Sequence, residues 1–396
     1  MTEADQTGDR LDRSRPSLAT VLREWGRIGC IGFGGPPTHI RLLRELCVDR
    51  KRWIGAVEFE DAIAACNLLP GPASTQLSIF CAWRVRGRLG AVVGGSAFIV
   101  PGLILILALA ALFLGSPPPW VLAAGAGAGS AVPAVAVHAA AGLLPASWHR
   151  AHDAGRGRLL RWAAYLTAGV LAAATIGAWV VLVLLACGAI ELTARARGDH
   201  HQTTVLPAPM LATGAVSVGL LTSVAWVAFK VGALSYGGGF VIIPLMQADA
   251  VNRYQWMTNG QFLNAVALGQ ITPGPVVQTV AVVGCAAAGL TGGLLASAVA
   301  FGPSFAFILL GARRFDQLRA NTKARAFLDG AGPAAIGAIA GSAISLARAL
   351  TEPWQYIVLG GAAIALFALR RAVVGTLLAA AAAAIILTAA GLALPQ

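Results

Sequence analysis

Charged residues are scarce in this chain, and acidic residues are the scarcest. Only 12% of the 396 residues are charged, against roughly 25% in soluble domains. Aspartate and glutamate number 17 together, most of them in tails and between apolar runs, and no DxxD or HExxH pattern occurs. A membrane-embedded enzyme would need clustered acids or a nucleophile beside its base. We therefore expect neither an enzyme nor a bound cofactor.

Cysteine offers no metal site or disulfide framework. The chain has six cysteines, no two of them in a CxxC pair and most of them within apolar segments. Reduced packing residues are the ordinary interpretation of that pattern. The polar N-terminus also lacks the short apolar core and small-residue cleavage site of a secretory leader, so a cleaved signal peptide is not expected.

Long apolar runs are what the sequence has instead. Hydrophobic residues make up 57% of the chain, with runs such as Leu103 to Leu114, Val170 to Ile190 and Ala372 to Leu394. A run of about 18 or more apolar residues is typical of a membrane-spanning helix, and the alternating pattern of a membrane barrel does not occur. These features predict an all-α, multi-pass protein embedded in a lipid bilayer.

The formal net charge of +12 comes from short basic clusters between the apolar runs. Basic loops of this kind favour the cytoplasmic side of a membrane protein. No surface with interleaved basic and aromatic residues of the nucleic-acid-binding kind occurs. We therefore interpret the positive charge as a topology signal and expect no nucleic-acid partner.

A repeat divides the chain into two halves. The tripeptide PGP occurs at Pro70–Pro72 and again at Pro273–Pro275, 203 positions later. At the same spacing Trp53 matches Trp256, and the register runs without a gap from Gly34 to Phe98. Matches of tryptophan and of PGP in one register are hard to obtain by chance. The sequence predicts two homologous membrane repeats, residues 1–200 and 201–396.

The matched loops of the two halves carry opposite charge patterns. Residues 84–88 hold three arginines, whereas their copy at 287–291 holds none; residues 115–119 are uncharged, whereas the matching stretch holds Arg313, Arg314, Arg319, Lys323 and Arg325. Because basic loops favour the cytoplasm, the halves are predicted to insert in opposite orientations. Inverted repeats of this kind are the architecture of many secondary transporters.

Each PGP motif interrupts an apolar segment whose two flanking loops are alike in charge. Glu58 to Trp83 has basic loops on both flanks, which favours a re-entrant hairpin that turns at PGP, and Gln261 to Ala287 would form its copy. Each break leaves unpaired N–H groups on the following half-helix, around Ala73 and Val276, and these positive ends can face an anion. A structural kink between packed helices is the alternative.

Glycine-rich stretches form a second matched break, at Gly32–Pro37 and Ser235–Phe240. They lack a phosphate-loop lysine, and close helix packing is the alternative to a binding role. A basic residue precedes each, Arg27 and Lys230. Lys230 lies in apolar surroundings, where a buried cation usually has a function, although snorkelling to the interface is the alternative.

These features together predict one anion site between the halves. Its candidate residues are Arg27, Gly34, Gly35, Asn67, Pro70, Gly71, Pro72, Ala73, Ser74, Lys230, Gly237, Gly238, Gln270, Pro273, Gly274, Pro275 and Val276. Polar members such as Ser74 could instead cap a half-helix. Glu58 and His39 are candidates for proton coupling, with interface solvation and simple packing as their respective alternatives.

The motifs RIGCIGFGGPPTHI, LLPGPASTQL, FKVGALSYGGGFVIIPLM and ITPGPVVQT resemble the chromate ion transporter family in its long, duplicated form. The resemblance implies a bacterial inner-membrane protein that exports chromate by secondary active transport and so confers chromate resistance. It implies motif roles for Gly34, Gly35, Pro70, Gly71, Pro72 and Lys230. The family usually has lysine and glutamine where this chain has Arg27 and Asn67, and phenylalanine where it has Tyr236.

We therefore expect about ten to twelve membrane segments in two inverted halves, with a small oxyanion as the substrate. Another tetrahedral oxyanion such as sulfate is the alternative cargo, because it shares charge and shape with chromate. The runs Trp162 to Thr193 and Trp354 to Leu394 could each form one long or two short spans. A homodimer is left open.

Overall fold

The computed structural model describes residues 15–67, 69, 71–115, 117–175, 179–196, 219–235, 242–312 and 321–394. Every regular element in these ranges is a helix. The first half contains α1 (Leu18–Ile31), α2 (Pro36–Arg44), α3 (Ala56–Cys66), α4 (Ala73–Leu114), α5 (Pro119–Asp153), α6 (Arg156–Thr175) and α7 (Val180–Ala196). The second half contains α8 (Leu220–Leu234), α9 (Ile242–Gln247), α10 (Asn259–Ile271), α11 (Thr279–Gly311), α12 (Thr322–Arg348), α13 (Pro353–Ala363) and α14 (Val373–Ala389).

Four helical stretches among the described residues are long and apolar enough to cross a membrane. They are α4, α5, the stretch Val276–Gly311 that ends with α11, and α12. Two apolar runs could each form one long span or two short ones, and each of them forms two helices. These are α6 with α7 in the first half and α13 with α14 in the second. The chain is thus an all-α polytopic membrane protein, as its composition predicts.

The segment around the first PGP forms the expected hairpin. α3 runs to the break, and α4 then returns, so that Glu58 at the start of α3 forms an ion pair with Arg84. At Arg86 and Gly87 the backbone leaves the helical region, with Gly87 at φ +67°. The second arm of α4 (88–114) folds back on the first (73–85), since a methyl group at Gly95 would lie 2.8 Å from Ile79.

The duplication is visible in the backbone itself. A wide helical turn ends the second helix of each half, at Glu45–Arg50 and Ala248–Arg253, again 203 positions apart. The central glycines of the PGP motifs also match, because Gly71 has φ +121° and Gly274 has φ +95°. Only glycine adopts such angles readily, so the motif requires its glycine for a structural reason.

The gap-free register through Phe98 is wrong by one residue beyond the PGP motifs. The kink of α4 lies at Arg86–Gly87, and that of α11 lies at Ala288–Gly289, only 202 positions later. A 3₁₀ turn at Val276–Gln278 precedes α11. Three residues of 3₁₀ helix rise about 6 Å, as far as four residues of α-helix. The second half therefore reaches the same point with one residue fewer.

Repeat-related helices of the two halves run antiparallel beside each other. The arms of α4 and α11 that follow their kinks contact each other, with Gly95 beside Phe305 and Leu107 beside Gly293. Along α5 and α12, residues 133–137 lie beside 340–347, and residues 142–150 lie beside 332–339. An antiparallel pair of equivalent helices requires a two-fold axis perpendicular to them. This is the geometry of an inverted repeat.

The last two helices of each half pack on the other half. Gly127 of α5 lies against Ala384 of α14, and Gly330 of α12 lies against Glu191 of α7. Small residues permit this close approach of helices in a membrane. The pairs show that α5 corresponds to α12 at a spacing of 203. The long helices α4, α5, α11 and α12 therefore form the centre of the molecule.

Candidate functional site

A cavity of about 230 Å³ lies between the first PGP break and the α5–α12 pair. Gly71 and Ala73 form one wall together with Asn67, which is exposed. The opposite walls come from α5 and α12, and Arg150 is the only basic residue among the described lining residues. The cavity thus joins the break in one half to a helix of the other half.

Polar groups from both halves lie close to Gly71, behind the lining of the cavity. α4 begins at Ala73 behind Pro72 without a side-chain cap, so its positive end faces the cavity. A methyl group at Gly71 would lie 2.6 Å from the Gln76 amide nitrogen and 3.3 Å from the Ser304 hydroxyl. Ser304 is fully buried, and its hydroxyl has no hydrogen-bond partner among the described residues. The α4 N-terminus suits an oxyanion, whereas Gln76 and Ser304 lie outside the described lining of the cavity.

Arg150 reaches the cavity from a basic cluster at the end of α5. Its side chain is 63% exposed and lies 3.9 Å from Asp329. The same carboxylate is bound more closely by Arg158 at 2.8 Å and by Arg195 at 2.6 Å. Arg150 is therefore only weakly paired and can direct its guanidinium at an anion in the cavity.

The cluster as a whole is positively charged. Glu191 is fully buried and accepts hydrogen bonds from Arg161, Arg195 and Tyr165. With Asp329 it provides two negative charges against four arginines, Arg150, Arg158, Arg161 and Arg195. We call this end of the molecule the basic end. The equivalent position in the second half is apolar, since Ala126 and Ala384 pack there with Trp354.

The second PGP break is closed. The Gly274 N–H donates to the Gly32 carbonyl at 3.0 Å, and Val276 is 6% exposed. The α-helix begins at Thr279, three residues beyond the expected start at Val276. Pro273 and Pro275 belong to this closed region, where the Pro273 carbonyl abuts Gly102. The two breaks, although equivalent in sequence, are in different environments.

His39 links the glycine-rich stretch to both breaks. It is fully buried, its Nε2–H donates to the Gly32 carbonyl at 2.9 Å, and its Nδ1 accepts from the Ser74 hydroxyl at 3.2 Å. The same Gly32 carbonyl accepts from Gly274 of the other half. Gly34 and Gly35 follow at φ +96° and +74°. His39 therefore holds the breaks together, and no described cavity reaches it.

The two predicted cations lie away from the cavity. Lys230 forms an ion pair with Asp249, whose side chain is only 2% exposed. Arg27 is exposed and lines a crevice of about 20 Å³ with Glu24, Glu45 and Arg50. The expected arrangement of two cations facing two helix N-termini is thus absent from the described structure, because Lys230 is neutralised by an acid from the wide turn after α9.

The Lys230–Asp249 pair has a structural counterpart in the first half. Arg50 binds Glu24 of α1 at 2.7 Å, so in each half an ion pair joins the first helix to the wide turn. The acid lies on the helix in one half and on the turn in the other. This pattern indicates that Lys230 ties α8 to its turn.

Removal of Lys230 alone is expected to destabilise the protein, and removal of both partners is not. Lys230→Met leaves the buried Asp249 carboxylate unpaired, which typically costs about 3–5 kcal/mol, whereas replacing both partners with apolar residues is often neutral. The melting temperature in detergent should fall in Lys230→Met and recover in Lys230→Met/Asp249→Leu. Transport that returns with stability in the double variant would show that Lys230 is not an anion ligand.

The remaining candidates fall in three places. Glu58 lies at the base of the hairpin, paired with Arg84, far along α3 from the break. Gln270 is 8% exposed beside the closed break, and its amide donor has no partner among the described residues. Pro70, Gly237 and Gly238 lie outside the described residues.

The chain matches a known family over both halves. The family described as Chromate transporter matches residues 19–192 and 222–390. This chain belongs to the chromate transporter family. Its multi-pass, inner-membrane character follows from that membership and from the apolar helices, and the two matched regions coincide with the duplication seen in the fold.

Curated relatives match over most of their length. A chromate transport protein of Cupriavidus metallidurans is 33% identical over 344 residues, 84% of this chain and 83% of that protein. One from Pseudomonas aeruginosa is 30% identical over 85% of this chain and 82% of its own. A probable chromate transport protein of Synechococcus elongatus is 29% identical, covering 84% and 85%. No solved structure matches the chain.

Proposed function

We propose that this protein exports chromate from the cytoplasm and that the 230 Å³ cavity is where the anion binds. The observation that carries the proposal is the position of the cavity, which extends from the uncapped start of α4 to Arg150 at the basic end. Basic ends favour the cytoplasm. The cavity then opens to the cytoplasm, the side from which an exporter takes its substrate.

Binding in the cavity would use walls from both halves. The N-terminus of α4 and the Asn67 amide come from the first half, and the second half contributes the α12 wall with Gly332 and Ile336. Arg150 supplies the full positive charge that a dianion needs in a site of low dielectric constant. Because the walls belong to different halves, a rocking motion of the halves would take the site apart and release the anion.

The membrane potential favours export of a dianion from a negative-inside cell. Moving one charge through 100 mV is worth about 2.3 kcal/mol, hence about 4.6 kcal/mol for chromate. Outward transport therefore needs no proton, and the enclosed position of His39 accords with transport that does not pass protons through it. The direct test is chromate accumulation in cells with and without the protein. Equal accumulation would contradict the proposal.

Arg150→Gln is expected to raise the apparent KM for chromate by about tenfold or more. A hydrogen bond to a charged group contributes about 1.5–3 kcal/mol, and Arg150 has few other ties. The KM of Arg150→Lys should lie between those of the parent protein and Arg150→Gln, since lysine keeps the charge and loses the planar guanidinium. Initial transport rates at graded chromate concentrations measure the effect.

A matched control is Arg348→Gln, because Arg348 is exposed at the opposite end of α12 and lies outside the cavity. Its KM should stay within the error of the parent protein. An unchanged KM in Arg150→Gln would place the anion elsewhere. Competition by sulfate in the same assay measures how far the site separates the two tetrahedral anions.

A further inference from the structure

Beside the closed second PGP break, Asn264 of α10 packs against two glycines of α5. Asn264 of α10 lies against α5, where a methyl group at Gly125 would be 2.5 Å from the Phe113 ring and 2.9 Å from the Asn264 amide nitrogen. A methyl group at Gly129 would be 3.1 Å from its amide oxygen and 3.2 Å from Leu263. Because neither position has a side chain, α10 can approach α5 closely. Leu263 is 3% exposed in this contact.

The side of the molecule with the open cavity lacks the equivalent pair of glycines. The helix equivalent to α5 is α12, and at the spacing of 203 its residues Leu328 and Gly332 stand where α5 has Gly125 and Gly129. Gly332 lines the 230 Å³ cavity instead of meeting α3. A leucine at the position of Gly125 adds a side chain where, on the closed side, Asn264 of the approaching helix lies. The difference between glycine and leucine therefore coincides with the difference between the closed and the open side.

We propose that the residue pair Gly125 and Leu328 sets which side of the transporter rests open. This inference rests on the proposed transport function. Glycine at 125 lets α10 close the far side, and leucine at 328 keeps α3 from closing the cytoplasmic side. In the opposite state α3 closes on α12, α10 leaves α5, and Gln270 becomes part of an outward cavity, as Asn67 is part of the present one.

The orphan amide of Gln270 accords with such a change. It is more than nine-tenths buried and its donor has no partner among the described residues. An unsatisfied buried donor destabilises the state that contains it. The closed far side thus holds a polar donor that an arriving anion or water would satisfy.

The test exchanges the two residues. In a background with the exposed Cys30 replaced by serine, a cysteine is placed at Asn67 or at Gln270 and labelled with a membrane-impermeant maleimide, from the cytoplasmic and the external side respectively. The parent should label at Asn67→Cys and resist labelling at Gln270→Cys. The exchange Gly125→Leu/Leu328→Gly should reverse the order, changing each labelling rate by roughly tenfold or more.

Two further variants keep the result interpretable. Gly375→Leu puts the same side chain on α14, where a methyl group meets nothing within 4 Å, and should label like the parent. Leu328→Gly alone adds no bulk and should already slow labelling at Asn67→Cys. Unchanged labelling in the folded exchange variant and in Leu328→Gly would overturn the inference. Because labelling needs no chromate, reversed labelling without any chromate transport would contradict the proposed function alone.

Discussion

Gly71→Val is expected to reduce chromate export by about tenfold or more while leaving the protein folded. Gly71 has φ +121°, and a side chain there would press on the Gln76 amide and the Ser304 hydroxyl, which lie behind the cavity wall. Backbone strain of this kind costs about 1–3 kcal/mol, and each 1.4 kcal/mol is about tenfold in an equilibrium or a rate. Chromate efflux from loaded cells measures the loss.

The control for Gly71 lies in the same cavity. Gly142 also lines it, but its φ is not positive and nothing lies within 4 Å of a methyl group there. Gly142→Val should retain most of the export rate. Equal losses in the two variants would mean that filling the cavity, and not the geometry of the break, limits transport.

Gly102→Val is expected to destabilise the protein. A methyl group at Gly102 would overlap the Pro273 carbonyl oxygen and lie 2.6 Å from the Gln278 side-chain oxygen. Gln278 is itself held by a 2.7 Å hydrogen bond to the Ile99 carbonyl. Overpacking a tight contact costs about 1–3 kcal/mol or more, and here a rigid backbone cannot yield. The yield of monodisperse protein in detergent should fall sharply.

Gly302→Val is the matched control for Gly102. Gly302 occupies a similar place in α11, is exposed, and has nothing within 4 Å of an added methyl group. It should purify and melt like the parent protein. A stable Gly102→Val protein would contradict the contact between the second PGP break and α4, and with it the described association of the halves.

Glycine and proline patterns in the sequence predicted much of this fold. Matched PGP motifs at a spacing of 203 predicted paired breaks, and the positive φ of Gly71 and Gly274 gives the physical reason. Loop charges predicted a hairpin with both ends on one side, which the Glu58–Arg84 ion pair now closes. Such features were readable because each depends on local backbone conformation or on one loop.

The composition of the cavity could not be predicted in the same way. Lys230 stands out in an apolar segment, but its partner Asp249 is distant in sequence and becomes its neighbour only through the turn after α9. In the sequence, Arg150 is one of several basic residues between two apolar runs, and Ser304 is a serine within an apolar run. Both residues come close to the first PGP break only through the packing of α5, α11 and α12. No periodicity in the sequence predicts that packing.

The most direct test of the central claim is chromate uptake by inside-out membrane vesicles with a positive interior. The cytoplasmic cavity then faces the medium, and the account predicts saturable accumulation that disappears when the potential is collapsed. Right-side-out vesicles under an interior-negative potential should not accumulate the anion, and inside-out vesicles carrying Gly71→Val should take it up at about one tenth of the parent rate or less. Accumulation that is the same with and without the protein, or unaffected by the substitution at Gly71, would contradict the account.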